Sequence, residues 1–297
     1  MFGHIRVFFD KFRKEPRKTV AVLRLEGVIA ANARMGKAIN LDAYAKLIER
    51  AFTMPGVDAV ALVINSPGGS PVQSALVMDR IREMADDNDI PVIAFTEDVA
   101  ASGGYMIALA ADEIYAHPAS IVGSIGVVYA GFGFPEAMKK MGVERRIFTA
   151  GESKSMLDPF EPTKEEDVER IKDLQNKIHE YFKDMVRKRR GKRLGSPRIK
   201  IFSGDVFLGA EAQKLGLVDG VDTLRPKLKE RFGQNVRIRV LAPDKPKLAG
   251  LLGVLSGGDK SDPGAKSADL LNAGSKGLVD DAIDSVETRL WWQKWGL

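Results

Sequence analysis

Residues 59–70 read AVALVINSPGGS, an apolar run that ends in a polar turn rich in glycine. A short, continuous apolar run with β-branched side chains predicts a strand that is buried on both faces. The turn at residues 65–70 then stands at the carboxyl end of this strand, directly before an amphipathic stretch. A buried strand followed by a turn and a helix predicts an α/β fold.

Other short apolar runs alternate with longer amphipathic stretches on both sides of this one. The predicted strands are residues 19–25, 59–64, 91–96, 113–116 and 145–149, and the first predicted helices are residues 41–53 and 72–84. A longer helix is predicted from a capping box at Thr163 and Glu166 to about Arg190. The side chains expected on its buried face are Ile171, Leu174, Ile178, Phe182 and Met185.

The composition excludes several kinds of chemistry. The chain has 297 residues, no cysteine and only three histidines, with 45 Lys+Arg against 40 Asp+Glu for a net charge of +5. Without cysteine there is no disulfide framework, thiolate nucleophile or cysteine-bound metal site. Lysine and carboxylates are therefore the favoured acid–base groups. The small excess of positive charge does not indicate nucleic-acid binding.

Changes in composition divide the chain into four segments. Residues 1–18 are amphipathic, residues 19–242 form the predicted α/β domain, residues 243–267 form a polar linker, and residues 268–297 form a second amphipathic segment. The basic run at residues 186–193 is interpreted as the solvated end of the long helix, because cations complement the dipole there. No apolar run reaches the roughly 18 residues that a membrane span needs.

Two glycine-containing segments follow predicted strands, where α/β sheets bind their ligands. The first is the turn at residues 65–70, whose exposed amides suit an oxyanion hole. The second, DVAASGGY at residues 98–105, puts Ser102 between small neighbours just before a predicted helix. Such a serine is sterically open, as a nucleophile must be. Taken alone, each segment is better explained by structure, the first as an ordinary turn and the second as a small residue that lets the helix pack tightly on the sheet.

Together the two segments resemble the signal peptide peptidase A family, also called protease IV. Three further segments match the family in order, IVGSIGV at residues 121–127, GESKSMLDPF at residues 151–160 and SGDVFLGAEAQKLGLVD at residues 203–219. The resemblance covers roughly residues 19–240. It implies an α/β, Clp-protease/crotonase-like spiral of βαβ units, with a helical extension and a flexible C-terminal tail.

The resemblance also implies a Ser/Lys catalytic dyad. Ser102 would be the nucleophile and Lys154 the general base, with the Ser124 hydroxyl orienting the lysine amine. The amides of Gly69 and Gly103 would form the oxyanion hole. A lysine acts as a base only when it is neutral, which desolvation favours. No metal or organic cofactor is implied.

A histidine base is the alternative on this fold. His117 could replace Lys154, with Asp98 or Asp112 behind it, but it stands at a strand end before a proline. His179 falls within the long helix and His4 in the N-terminal segment. The lysine is therefore the favoured base.

The expected function is that of a serine endopeptidase that cleaves extended, hydrophobic peptides such as cleaved signal peptides. The alternatives are a crotonase-type acyl-CoA hydratase or hydrolase and a catalytically silent, membrane-associated scaffold. A homo-oligomer with sites shared between protomers is expected, without nucleic acid. Peripheral membrane contact is expected through residues 1–14 or the cluster of Trp291, Trp292 and Trp295. The expected location is the membrane surface, on its cytoplasmic side, or the cytoplasm. Neither a transmembrane helix nor a cleaved signal peptide is expected.

Overall fold

The structure, a computed structural model, describes residues 17–31, 38–151, 153–195 and 201–241. The strands are β1 (Thr19–Glu26), β2 (Ala59–Ser66), β3 (Val92–Ala101), β4 (Glu113–Ala116), β5 (Ile121–Gly123), β6 (Val206–Leu208), β7 (Gly220–Val221) and β8 (Arg237–Leu241). The helices are α1 (Leu41–Phe52), α2 (Pro71–Asn88), α3 (Gly103–Ala108), α4 (Pro135–Met141), α5 (Glu165–Arg190), α6 (Gly209–Lys214) and α7 (Leu224–Phe232). The predicted α/β class is confirmed.

The strands form one mixed sheet in the order β6-β5-β3-β2-β1-β8. All of these pairs are parallel except β5 with β6. Strand β3 is shared: its first half pairs with β4, which also pairs with β7, and its second half pairs with β5. Helices α1 and α2 pack on one face through the larger apolar core. The polar turns after β2 and β3 consequently meet at one edge of the sheet.

Two details of the predicted secondary structure are wrong. Residues 145–149 form no strand; they are mostly exposed, and Arg145 pairs with Asp158 at 3.0 Å. The predicted capping box also fails, because the N-cap of α5 is Lys164 and makes no side-chain cap bond. Thr163 lies one residue too early to cap the helix.

The predicted buried face of α5 is buried only in its second half. Phe182 is 2% exposed, whereas Leu174 and Ile178 are 47% and 37% exposed. The described core reaches the C-terminal half of the helix alone, through Phe182, Val186 and Met185. The N-terminal half therefore presents apolar side chains to solvent.

The basic run at the end of α5 is a solvated helix end only in part: Arg187, Lys188, Lys192 and Arg193 are exposed, but two arginines between them are not. Arg190 is buried and makes two hydrogen bonds to the carboxylate of Asp219, at 2.8 and 3.1 Å. Arg189 donates to the carbonyl oxygens of Leu109 and Ala111 just beyond α3. Arg189 thereby complements the negative end of the short helix α3. The end of α5 is thus fastened to the helix that follows Ser102.

Replacing Asp219 by asparagine should destabilise the fold. The change leaves the charge of Arg190 buried without its partner, which costs about 3 kcal/mol of unfolding free energy. Chemical denaturation measures the loss. Asp173→Asn is the matched control, because that carboxylate pairs with Lys177 on the exposed side of α5 and should matter by less than about 0.5 kcal/mol. Equal effects of the two changes would contradict the structural role of Asp219.

The same ion pair predicts a loss of stability in acid. Burial alone would raise the pKa of Asp219, but hydrogen bonds from Arg190 and from the Ile114 amide hold that pKa below its ordinary value. The stabilisation is therefore present above the ordinary carboxyl pKa and is lost as pH falls through the lowered one. The free energy of unfolding of wild type should lose the contribution of this ion pair below about pH 4, whereas Asp219→Asn, which lacks the ion pair, should show no such loss.

Candidate active site

Ser102 occupies a sharp turn between β3 and α3. Its backbone has φ of 51° and ψ of −120°, in a region that side chains other than glycine rarely adopt. The Ser102 amide donates to the carbonyl oxygen of Gly123 at 2.8 Å, which ties this turn to β5. No hydrogen bond of the Ser102 hydroxyl is found within the described part of the chain. The hydroxyl is thus held at an elbow and left available.

The glycine turn after β2 packs directly against this elbow. A Cβ at Gly68 would lie 2.8 Å from the Cβ of Ser102, so only glycine allows the approach. Gly69 has φ of 142°, and a Cβ there would lie 2.0 Å from the carbonyl oxygen of Ile29. Among the described residues, neither the Gly69 amide nor the Gly103 amide has a hydrogen-bond acceptor. The turn after β2 and the residue after Ser102 therefore each have an N–H group without an acceptor in the described structure.

A cavity of about 390 Å³ opens at this elbow. Its lining includes Gly69, Ser102, Ser124, Val127 and His179. The Ser124 backbone is also left-handed, with φ of 52°, and its amide donates to the carbonyl oxygen of Asp205 at 2.7 Å. The chain thus brings together Gly69, Ser102 and Ser124, and Gly103 follows Ser102 directly. The role of Ser124 towards a lysine stays a prediction.

Lys154 does not line this cavity. It is exposed, in a turn that α5 holds through two contacts: Arg170 with the Ser153 hydroxyl, and the Leu157 amide with Asp167 at 3.2 Å. Arg170 precedes His179 by nine residues on α5, which is about 14 Å along the helix axis. Within one chain, Lys154 is therefore set apart from Ser102.

His179 lines the cavity, although sequence reasoning set it aside as an ordinary residue of the long helix. Its Nε2 lies 3.0 Å from the carbonyl oxygen of Ile125, next to Ser124. Nothing in the local sequence distinguishes His179 from other polar residues of α5, since its position at the cavity depends on how the helix packs against the segment after β5. The packing of α5 over residues 124–126 was the missing information.

His117 lies elsewhere. It lines a separate cavity of about 850 Å³ between β3 and the start of α7, and that cavity shares no lining residue with the Ser102 cavity. Its Nδ1 accepts from the Ala119 amide at 3.2 Å. Asp98 accepts from Asn65, and Asp112 pairs with Arg82. This arrangement does not support a triad of Ser102 with His117.

The sequence pattern of peptidase family S49 matches residues 84–234, just over half of the chain. The Na(+)/H(+) antiporter NhaA of Brucella abortus is 46% identical over 94% of this chain and 37% of its own length. The chloroplastic serine protease SPPA of Arabidopsis thaliana is 29% identical over 92% of this chain and 41% of its own length. The solved structure of a mutant 1510-N membrane-bound stomatin-specific protease aligns with a TM-score of 0.49 and 19% identity, over 77% of this chain and 100% of that one.

The chain belongs to peptidase family S49. This confirms the resemblance to the signal peptide peptidases. The chain spans less than half the length of the two relatives named by sequence. In the part of the chain that the structure describes, no helix has both the length and the apolar character needed to cross a membrane.

Proposed function

We propose that this chain is a serine endopeptidase that cleaves extended, hydrophobic peptides such as cleaved signal peptides. The observation that carries the proposal is the strained elbow at Ser102, whose hydroxyl is free among the described residues; the unbonded amide of Gly103 follows it in the chain, and Gly69, also unbonded at its amide, lines the same cavity. Small, strained turns of this kind hold nucleophiles at the ends of strands. Membership of family S49 favours a peptidase over a crotonase-type acyl-CoA enzyme.

The proposed reaction is acyl transfer through Ser102. The hydroxyl oxygen attacks the scissile carbonyl carbon while its proton passes to the neutral amine of Lys154. The amides of Gly69 and Gly103 donate to the oxyanion, and Lys154 returns the proton to the leaving amine. Water, deprotonated by the same amine, then hydrolyses the ester and restores the Ser102 hydroxyl. The Ser124 hydroxyl orients the lysine.

The preference for apolar, extended peptides rests on the wall of the cavity. Val127 and Val128 contribute apolar surface there, and Val128 is 67% exposed. In the described residues, this segment leaves β5 without pairing to another strand. Its backbone N–H and C=O groups can therefore bind a substrate strand by β-augmentation.

We further propose that a second copy of the chain supplies Lys154. The separation of Lys154 from Ser102 along α5 supports this. So does the segment from Val128 to Phe148, because its large apolar side chains face solvent and α4 buries none of its residues. Phe132 and Phe148 are 81% and 94% exposed. Apolar surface of this extent is typical of a protein–protein interface.

Contact with a membrane surface remains part of the proposal. It rests on the amphipathic sequence of residues 1–14 and on Trp291, Trp292 and Trp295. Both segments, like the linker at residues 243–267, lie outside the described residues.

A serine-directed fluorophosphonate should label wild type on one residue, Ser102, because an activated hydroxyl beside two free amides attacks phosphorus as it attacks a carbonyl. Peptide mass mapping identifies the site, and Ser102→Ala should take up no label. Labelling that persists in Ser102→Ala would contradict the proposal. An unlabelled wild type would instead favour a crotonase-type enzyme, which needs no nucleophilic serine.

A further inference from the structure

The Ser102 cavity continues into a second depression along α5. The depression has a volume of about 220 Å³ and is lined by Val127, Lys172, Gln175, Asn176 and His179. Val127 and His179 line both spaces. They therefore join the two into one groove, which leads from Ser102 towards Lys172. The hydrogen bond from His179 to the Ile125 carbonyl fixes the junction.

The helical repeat sets the chemistry of this groove. Residues 175, 176 and 179 follow residue 172 by three, four and seven positions, so the four lie on one face of α5. Lys172 precedes His179 by seven residues, or about 10 Å along the helix axis. An extended peptide covers this distance in about three residues. A substrate side chain about three residues from the cavity would thus reach Lys172.

The far end of the groove is positively charged. No ion pair of Lys172 is found within the described ranges, and no carboxylate lines the depression. The neighbouring Asp173 is already paired with Lys177 at 2.7 Å. Gln175 and Asn176 add amide N–H donors, which suit a carboxylate acceptor.

We propose that Lys172, Gln175 and Asn176 form a subsite for an acidic side chain of the substrate, about three residues from the scissile bond. The proposal rests on the peptidase function above and adds a specificity to it. The preferred substrate is then an apolar peptide with one Asp or Glu at this distance, rather than a uniformly apolar one.

The first test measures cleavage of matched peptides. A fluorogenic apolar peptide carries Glu, Gln or Lys at positions two to four residues on either side of the scissile bond. At one of these positions wild type should prefer Glu over Gln by about two- to fivefold in kcat/KM, as expected for a solvent-exposed ion pair. Lys172→Gln should abolish the preference, and Lys172→Glu should transfer it to Lys. Lys177→Gln, on the same helix but outside both cavities, should preserve it.

The second test measures binding without catalysis. Ser102→Ala protein is titrated with the labelled Glu and Gln peptides, and anisotropy should show tighter binding of Glu, with the difference lost in Ser102→Ala/Lys172→Gln. Equal binding of the two peptides, or a preference that survives loss of Lys172, would overturn the subsite. If binding discriminates but wild type cleaves no peptide, the subsite stands and the peptidase function fails.

Discussion

Ser102→Ala should lower kcat/KM for an apolar fluorogenic peptide by about 10⁴- to 10⁶-fold, because the change removes the nucleophile and leaves only binding and the oxyanion donors. The fold should survive. The Ser102 hydroxyl makes no hydrogen bond to the described residues, so its removal breaks no such bond. The backbone of residue 102 remains strained but is still held by the Gly123 carbonyl.

The matched control is Thr53→Ala, which removes a hydroxyl bonded to Glu49 at the exposed end of α1. It should retain wild-type activity. Circular dichroism and thermal unfolding should show both variants folded. A folded Ser102→Ala protein that keeps more than about a tenth of wild-type activity would refute the nucleophile.

Mixing two inactive variants should restore activity. Ser102→Ala protein keeps Lys154, and Lys154→Ala protein keeps Ser102, so a site shared between copies can be complete in a mixed assembly. With equal amounts and random assembly, about one quarter of such head-to-tail sites contain both groups. The expected gain is therefore from the low background of each variant to about a quarter of wild-type activity.

The control for mixing is a double variant, Ser102→Ala/Lys154→Ala, co-refolded with Ser102→Ala. It should gain nothing, because no intact serine is present. Affinity tags of two kinds establish that the copies have mixed. If tagged mixed assemblies form and remain inactive, Ser102 and Lys154 act within one chain, and the shared site is wrong.

The strands of the sheet centre were predictable because their signal is local. Val60, Leu62 and Ile64 lie in continuous apolar runs, and a glycine turn follows each of β2 and β3. The elbow at Ser102 was predictable for the same reason, since small neighbours on both sides permit a sharp turn. Residues 145–149 have only Ile147, Phe148 and Thr149 to indicate a strand, since two arginines precede them, and no strand in the described structure pairs with them.

The remaining features depend on contacts that are distant in sequence. The charge of Arg190 would suit a solvated helix end, but Asp219 and the Gly216 carbonyl make it a buried group. His179 reads as an ordinary helix residue until α5 crosses Ile125. The role of Lys154 stays a prediction that rests on a family motif, because its turn contacts α5 and Lys154 does not line the Ser102 cavity. The sequence pattern around a residue indicates its own helix or strand, whereas the surroundings of Arg190 and His179 are set by residues that are distant in sequence.

Strands β5 and β6 are hydrogen-bonded neighbours, although residues 124–205 separate them in the chain. Both ends of this excursion, Ser124 and Gly204, line the Ser102 cavity. Residues 124–205 are therefore an insertion between two paired strands, and the insertion begins and ends at the Ser102 cavity. Under the proposed function, exchange of this segment would alter the accepted peptide and the assembly partner, while the pairing of β5 with β6 beside Ser102 would persist. The exchange has constraints: the new segment must keep Ser124 and Lys154, which the proposed mechanism uses, and must still supply cations, as Arg189 does, to the carbonyl groups beyond α3.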